Sequence, residues 1–295
     1  MKEIVIISGK GGVGKSAITA SLGCILAKKH RVLLTDTDVD APNLHLVLGA
    51  TLRSTQEVAA SEKAFIDYGQ CSGCMICVDT CRFSSIVAAT EPIIIPYSCE
   101  GCGACALNCP EGAIEIRTVI NGRINFFEAG NLPLVAGELS IGASSSGRLV
   151  DLVKRRARQE AETFGAEIIL TDGPPGIGCP VIAALKGADY ALLVTEPSIA
   201  ALSDMKRVME VTKHFRTPIG VVLNKADIHE ESRTAIYSFI EKGGFAIHGE
   251  IPYDNSVPMA IANAQPVVKV YPDSPSSLQL NKLADTLLEI FNSVD

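Results

Sequence analysis

The sequence predicts a doubly wound, parallel-sheet α/β domain, interrupted once by a small cysteine-rich α+β unit. Three observations carry this expectation. Short apolar runs of strand length alternate with amphipathic, helix-length stretches along most of the chain. The first run, Ile4-Val5-Ile6-Ile7, leads through a glycine-rich loop into a helical pattern. Eight of the ten cysteines lie between residues 71 and 109, in two copies of one spacing.

The loop reads Ser8-Gly9-Lys10-Gly11-Gly12-Val13-Gly14-Lys15-Ser16. Glycine lets the main chain approach a ligand closely. A strand–loop–helix order aims backbone N–H groups and the positive end of the helix dipole at phosphate. Gly9 to Ser16, with Gly11, Gly12, Val13 and Gly14 between, form the expected phosphate cradle. Lys15 is placed to reach the β/γ-phosphates and Ser16 to ligate Mg²⁺. The extra lysine, Lys10, makes the loop resemble the deviant Walker A class of P-loop ATPases, the family of MinD, ParA, Mrp and the nitrogenase iron protein. That resemblance implies that Lys10 reaches across a dimer interface to the nucleotide of the other subunit. It therefore implies ATP as ligand and a nucleotide-dependent homodimer, or a heterodimer with a paralogue.

Composition narrows the classes. A chain of 295 residues with 47% hydrophobic side chains can bury a sizeable core. A formal charge of −7 argues against a nucleic-acid surface. No apolar run reaches about 18 residues, so no membrane insertion is expected. Met1-Lys2-Glu3 runs straight into a strand, which leaves no signal-peptide pattern and makes the cytoplasm the expected location. Cysteines in such a chain point to metal rather than disulfides.

After the loop, Ile18, Leu22, Ile25 and Leu26 mark one face of a helix over residues 16–29, with Cys24 on a second, small-residue face as a buried thiol. A strand over 32–35 ends in Asp36-Thr37-Asp38-Val39-Asp40, at the strand end where open α/β sheets bind ligands. The family resemblance implies that Asp38, in switch I, acts on the attacking water and Mg²⁺. An exposed acidic turn is the alternative, and it weighs more for Asp36 and Asp40 than for Asp38.

From about residue 61 the pattern changes. Cys71-x-x-Cys74-x-x-Cys77-x-x-x-Cys81 recurs 28 residues later as Cys99-x-x-Cys102-x-x-Cys105-x-x-x-Cys109-Pro110. Such a repeat marks a duplicated structural unit. The spacing resembles that of bacterial two-cluster ferredoxins, where the fourth cysteine of each run serves the other cluster. This implies one [4Fe–4S] cluster on Cys71, Cys74, Cys77 and Cys109, and a second on Cys99, Cys102, Cys105 and Cys81. Zinc ribbons instead show paired Cys-x-x-Cys. Arg82 stands where a proline is expected, and its charge should slightly raise that cluster's potential. The expected domains are an ATPase at 1–60 and 119–295 and a ferredoxin unit at 61–118, closed by a strand at Ile114–Arg117. Asn121-Gly122 reads as a hairpin turn.

The loop Gly137–Gly147 is rich in Gly and Ser and is open to three roles: phosphate contact, partner contact or connector. A helix follows with Leu149, Val150, Val153 and Ala157 on one face; Lys154, Arg155, Arg156 and Arg158 read as a solvated basic face. The strand Ile168–Thr171 ends in Asp172-Gly173-Pro174-Pro175-Gly176. Here the resemblance implies Asp172 holding Mg²⁺ through water and Gly176 sensing the γ-phosphate. Cys179 is expected to pack beneath this switch II segment, with a redox role open. Strands over 190–194 and 219–223 follow. Asn224-Lys225-Ala226-Asp227 is a base-contacting string in this family and a guanine signature elsewhere, so it leaves ATP and GTP open. Pro252 belongs to a loop expected to pack on the base. The last helix, with Leu280, Leu283, Ala284, Leu287 and Phe291, reads as a core helix, and the five histidines show no ligand spacing.

The resemblance thus implies a slow Mg·ATP-hydrolysing dimer, with Lys10, Lys15 and Asp38 as catalytic residues. Three uses of the clusters stay open. They could pass electrons to an unidentified redox partner protein under nucleotide control, be handed on as by an Mrp-type carrier, or sense redox state in a positioning ATPase. No Cys-x-x-Cys follows Cys109, which favours permanent clusters and electron transfer.

Overall fold

A computed structural model describes residues 1–143 and 146–292. The strands are β1 (Lys2–Ser8), β2 (Val32–Asp36), β3 (Thr51–Val58), β4 (Ser61–Ile66), β5 (Ile86–Val87), β6 (Ile93–Ile94), β7 (Ile114–Val119), β8 (Gly122–Ala129), β9 (Leu132–Leu139), β10 (Ile168–Pro175), β11 (Tyr190–Thr195), β12 (Ile219–Asn224) and β13 (Ala246–Ile251). Nine of them form one sheet in the order β13-β12-β11-β1-β10-β2-β9-β8-β3. From β13 to β9 every pair is parallel; β9–β8 and β8–β3 are antiparallel.

The central strands are apolar on both faces because helices cover both, as parallel sheets require. Side chains alternate across a strand. Ile4 and Ile6 therefore join the core under the helices Lys15–Leu26 and Pro275–Asn292, with Leu22, Leu34 and Leu283. Val5 and Ile7 join the opposite core under the helices Ser146–Phe164 and Ile199–Phe215, with Leu149, Val153 and Met205. Cys24 is buried, and the last helix is a core helix, as the sequence predicts. Among the described residues no helix is long and apolar enough to cross a membrane.

Residues 61–119 fold around a separate small core of Ala64, Cys77, Ile86, Cys99, Cys105 and Ile114. β4 pairs antiparallel with β7, and β5 with β6. The chain enters this unit from β3 and leaves it into β8, and those two strands pair with each other at the sheet edge, Val58 opposite Gly122.

Several expectations are corrected. Asn121-Gly122 is no hairpin turn: β7 pairs with β4 and β8 with β9, so the chain passes there from one sheet to the other. The buried Asn121 instead ties the neck, its Oδ1 accepting from Ala60 N at 2.7 Å. The strand closing the insertion runs on to Val119. Gly137, Glu138 and Leu139 are strand rather than loop, because β9 passes so near the covering helix that a Cβ on Gly137 would lie 2.5 Å from Val153 Cγ2. Ser144 and Ser145 of that expected loop lie outside the described residues. Lys154 is not solvated: it is 4% exposed and pairs with the buried Glu3 at 2.9 Å, and Arg158 holds the other Glu3 oxygen at 2.7 Å. A buried cation needs such a partner. Cys179 is exposed at the start of the helix Cys179–Leu185, not packed beneath switch II.

Candidate functional site

The ends of β1, β2 and β10 converge on the glycine-rich loop. Gly12 and Gly14 have φ of 80° and 93°, which side-chain-bearing residues rarely adopt. A Cβ on Gly14 would also lie 2.3 Å from Asn224 Nδ2. Gly9 passes Asp204 closely, whereas Gly11 faces open space. Val13 is anchored in the core and its carbonyl accepts from Asn224 Nδ2 at 2.7 Å. Ser16 follows Lys15 in the first turn of the helix, which no side chain caps. Uncapped first-turn N–H groups suit an anion.

Lys15 is 6% exposed, with its ammonium 3.0 Å from Asp172 Oδ1 and 3.9 Å from Asp38 Oδ2. Burial alone would lower its pKa, but Asp172, Asp36 and Asp38 more than offset that and hold it above the ordinary value. Thr19 Oγ1 also donates to Asp172 Oδ1 at 3.0 Å. The second Asp172 oxygen is buried without a hydrogen-bond partner among the described residues. A buried carboxylate oxygen of that kind calls for water or an ion. Its position beside the loop fits Mg²⁺ held through water.

Asp36 is fully buried, which removes the alternative of an exposed turn there. Its Oδ1 accepts from Asp38 N, and its Oδ2 from Asn43 N and Leu44 N, all at 3.0 Å. Asp36 thus shapes switch I, while Asp40 is exposed. Burial, followed by the charge of Asp172, pushes the Asp36 pKa up. Burial also raises Asp38 to about 6, with Lys15 opposing and Asp172 adding. Thr37 donates to the Asp172 carbonyl through its N–H at 2.8 Å and its hydroxyl at 3.0 Å, joining switch I to β10.

Lys10 and Gly176, both expected to reach a nucleotide, are engaged within the chain. Lys10 pairs with Glu196 Oε1 at 2.6 Å and donates to Ser198 Oγ at 3.3 Å. Gly176, at φ 93°, donates its N–H to the Ser8 carbonyl at 2.9 Å. Lys225 takes the other Glu196 oxygen at 2.8 Å and donates to the Gly12 carbonyl at 3.2 Å. Glu196 and Thr19 escaped the sequence analysis. Glu196 carried a signal nonetheless, since it directly follows β11 at the ligand-binding end of the sheet. A cavity of about 310 Å³ beside Gly14 is lined by Asn224, Pro252, Tyr253, Val257 and Leu280. Its position, size and apolar walls suit a nucleobase.

The eight clustered cysteines segregate into two cavities. Cys71, Cys74, Cys77 and Cys109 line one. Cys99, Cys102, Cys105 and Cys81 line the other. The trailing cysteine of each repeat thus faces the other repeat's triplet. Among the described residues no three His, Cys, Asp or Glu side chains close on a single metal ion. A single zinc would need its thiolates about 3.8 Å apart, from Zn–S bonds of about 2.3 Å. Each set of four cysteines is the group of side chains that could hold a metal centre there. Backbone N–H groups already point at sulfur: Ala64 N to Cys99 Sγ at 3.5 Å, Ser85 N to Cys81 Sγ at 3.3 Å and Ala113 N to Cys109 Sγ at 3.3 Å. Burial raises Cys81, but hydrogen bonds from the Ser85, Phe83 and Ile86 N–H groups and the Ser85 hydroxyl bring it below the ordinary thiol value.

Comparison with known proteins places this geometry in context. The family model for the CobQ/CobB/MinD/ParA nucleotide-binding domain matches residues 4–267. An uncharacterized protein of Methanocaldococcus jannaschii is 37% identical over 88% of each chain. An uncharacterized ATP-binding protein of the same organism is 26% identical over 97% of this chain and 87% of its own. In fold, the chain resembles the septum site-determining protein MinD complexed with Mg-ADP from Pyrococcus horikoshii, with a TM-score of 0.60 and 22% identity, covering 97% of this chain and 95% of that one.

Proposed function

The chain belongs to the CobQ/CobB/MinD/ParA nucleotide-binding family, a family of P-loop ATPases. On that premise we propose that it is a Mg·ATP-dependent, dimerising ATPase whose insertion, residues 61–118, carries two [4Fe–4S] clusters. Its nucleotide state controls electron transfer to a redox partner protein. In this reading the loop amides and Lys15 hold the phosphates, Asp38 orients the attacking water, and Lys10 leaves Glu196 to supply charge to the partner's nucleotide. Ser16 and Asp172 would hold Mg²⁺, and Gly176 would exchange Ser8 for the γ-phosphate. Asn224 and Pro252 would flank the adenine. The four cysteines of each cavity would hold one cluster, which supplies one-electron transfer when bound.

One observation carries the coupling. A continuous hydrogen-bonded route joins switch I to the neck of the insertion. Val39, next to Asp38, accepts through its carbonyl from Leu139 N at 2.8 Å; Ser140 N donates to the Asn121 carbonyl at 2.9 Å; and Asn121 receives Ala60 N at 2.7 Å. A movement of switch I on nucleotide binding would pull directly on the strands leading to the cysteines. The segregation of the eight cysteines into two sets of four supports the cluster half of the proposal.

The test is anaerobic purification and an iron assay, followed by EPR redox titration without nucleotide, with Mg·ADP and with a non-hydrolysable Mg·ATP analogue. About eight irons per chain and potentials that shift between nucleotide states are expected. Iron-free protein refutes the clusters, and invariant potentials refute the coupling.

A further inference from the structure

The two cysteine-lined cavities are electrostatically unequal. Each has one exposed glutamate in its lining, Glu111 beside Cys71, Cys74, Cys77 and Cys109, and Glu100 beside Cys81, Cys99, Cys102 and Cys105. Each lining thus contributes one exposed carboxylate. What does not balance is Lys63 on β4: it is 7% exposed, and its ammonium donates to the Cys99 carbonyl at 2.5 Å. One repeat further on, 28 residues along, stands the exposed Glu91, so the duplication did not copy this cation. Two further features have the same sign. Arg82 directly follows Cys81. Among the described residues, the Lys63 side also has two N–H···S contacts, from Ala64 and Ser85, against the one from Ala113.

Reduction adds one negative charge to a group that is already anionic. A buried cation at its ligand stabilises the added charge, and burial keeps solvent and salt from screening the interaction. N–H groups aimed at sulfur act in the same direction. Building on the two-cluster reading above, we propose that Lys63 makes the cluster of Cys81, Cys99, Cys102 and Cys105 the more easily reduced of the two. It takes the first electron, and the cluster of Cys71, Cys74, Cys77 and Cys109 lies at lower potential. Lys63 is a positioning residue: it acts on the potential through Cys99 and the local field.

The experiment uses the full chain, purified without oxygen, assayed for iron and titrated with dithionite under EPR. Fewer than about eight irons per chain refutes the two-cluster reading itself. With eight irons, two one-electron steps are expected. In Lys63→Gln the higher step moves down, so that the reduced-to-oxidised ratio at a fixed potential drops about tenfold, a shift of about 59 mV. The lower step stays in place, and Lys63→Arg keeps the wild-type value. A Lys63→Gln protein that holds eight irons with an unmoved upper step overturns the inference. An independent variant, Cys71→Ser, assigns the steps. It should alter the lower one only, and loss of the upper step instead overturns the proposal whatever Lys63→Gln does.

Discussion

Lys10 is held by Glu196 of its own chain, ammonium to Oε1, at 2.6 Å. A lysine expected to act on a partner's nucleotide must first leave this contact. The Glu196→Gln change weakens the hold and should favour the ATP-bound dimer. A partly exposed pair of this kind contributes about 0.5–1 kcal/mol and two must break per dimer, so the dimer dissociation constant should fall about five- to thirtyfold. Sedimentation velocity with and without Mg·ATP measures it. Lys10→Ala should remove the ATP dependence of association altogether.

Lys15→Met should act twice. Hydrolysis should fall by about a hundredfold or more, as when a transition-state charge partner is lost. The nucleotide-free protein should also lose about 3 kcal/mol of stability, since Asp172 is 0% exposed and would keep an uncompensated buried charge. Phosphate-release assays and urea unfolding report the two effects separately. A variant that hydrolyses poorly but unfolds like wild type would contradict the charge balance described for this site.

The cavity membership makes a prediction across the repeat. Cys109→Ser should damage the same cluster as Cys71→Ser, although Cys109 lies in the second run. Cys81→Ser should damage the other. Iron content should drop to about four per chain in each case, and the surviving EPR signal should be the same for Cys71→Ser and Cys109→Ser.

Asn121→Ala should uncouple the insertion from the nucleotide. It removes the acceptor of Ala60 N, which is buried at the neck, at a cost of about 1–3 kcal/mol. Nucleotide affinity should be unchanged, because among the described residues the hydrogen bonds of Asn121 go to Val58, Ala60 and Ser140 and not to the phosphate loop. The nucleotide-dependent shift in cluster potential should shrink or vanish.

Acid should weaken the fold through His248. Burial lowers its pKa below the ordinary value, and its ring nitrogen shares a 2.5 Å hydrogen bond with the Tyr190 hydroxyl. Since the unfolded chain takes up a proton first, stability is complete above about pH 6.5 and declines as pH falls through the window below it. His248→Gln should flatten the melting-temperature profile between about pH 5 and 7.

Much of the candidate site was legible in the sequence because its parts are local. Gly9 to Ser16 sit in consecutive positions between a strand and a helix. Cys71, Cys74 and Cys77 are spaced three apart, so chain geometry alone brings them to one place. Asp38 and Asp172 were legible because each follows an apolar run that ends at the ligand side of a parallel sheet. The exposed turn weighed at Asp36 and the solvated face expected at Lys154 both fail for one reason. Polar residues near an element's end read as surface unless their partner is known, and Asp36 is satisfied by the backbone of residues 38, 43 and 44.

The sequence by itself determined the phosphate loop, the alternation of strands and helices, and the two cysteine triplets, since each depends on contacts within a few residues. Tertiary structure alone decided that Lys10 meets Glu196, that Lys154 meets Glu3, and that Lys63 lies against Cys99. It also decided that Val39 is tied to Leu139, which links switch I to the insertion. Lys10 meets Glu196 because the strand order places β11 beside β1, and Val39 meets Leu139 because it places β9 beside β2; Lys154 reaches Glu3 from the covering helix, and Lys63 meets Cys99 within the insertion's own fold. That order is set by burying both faces of the sheet under helices, a property of the whole chain that no local pattern of charges records.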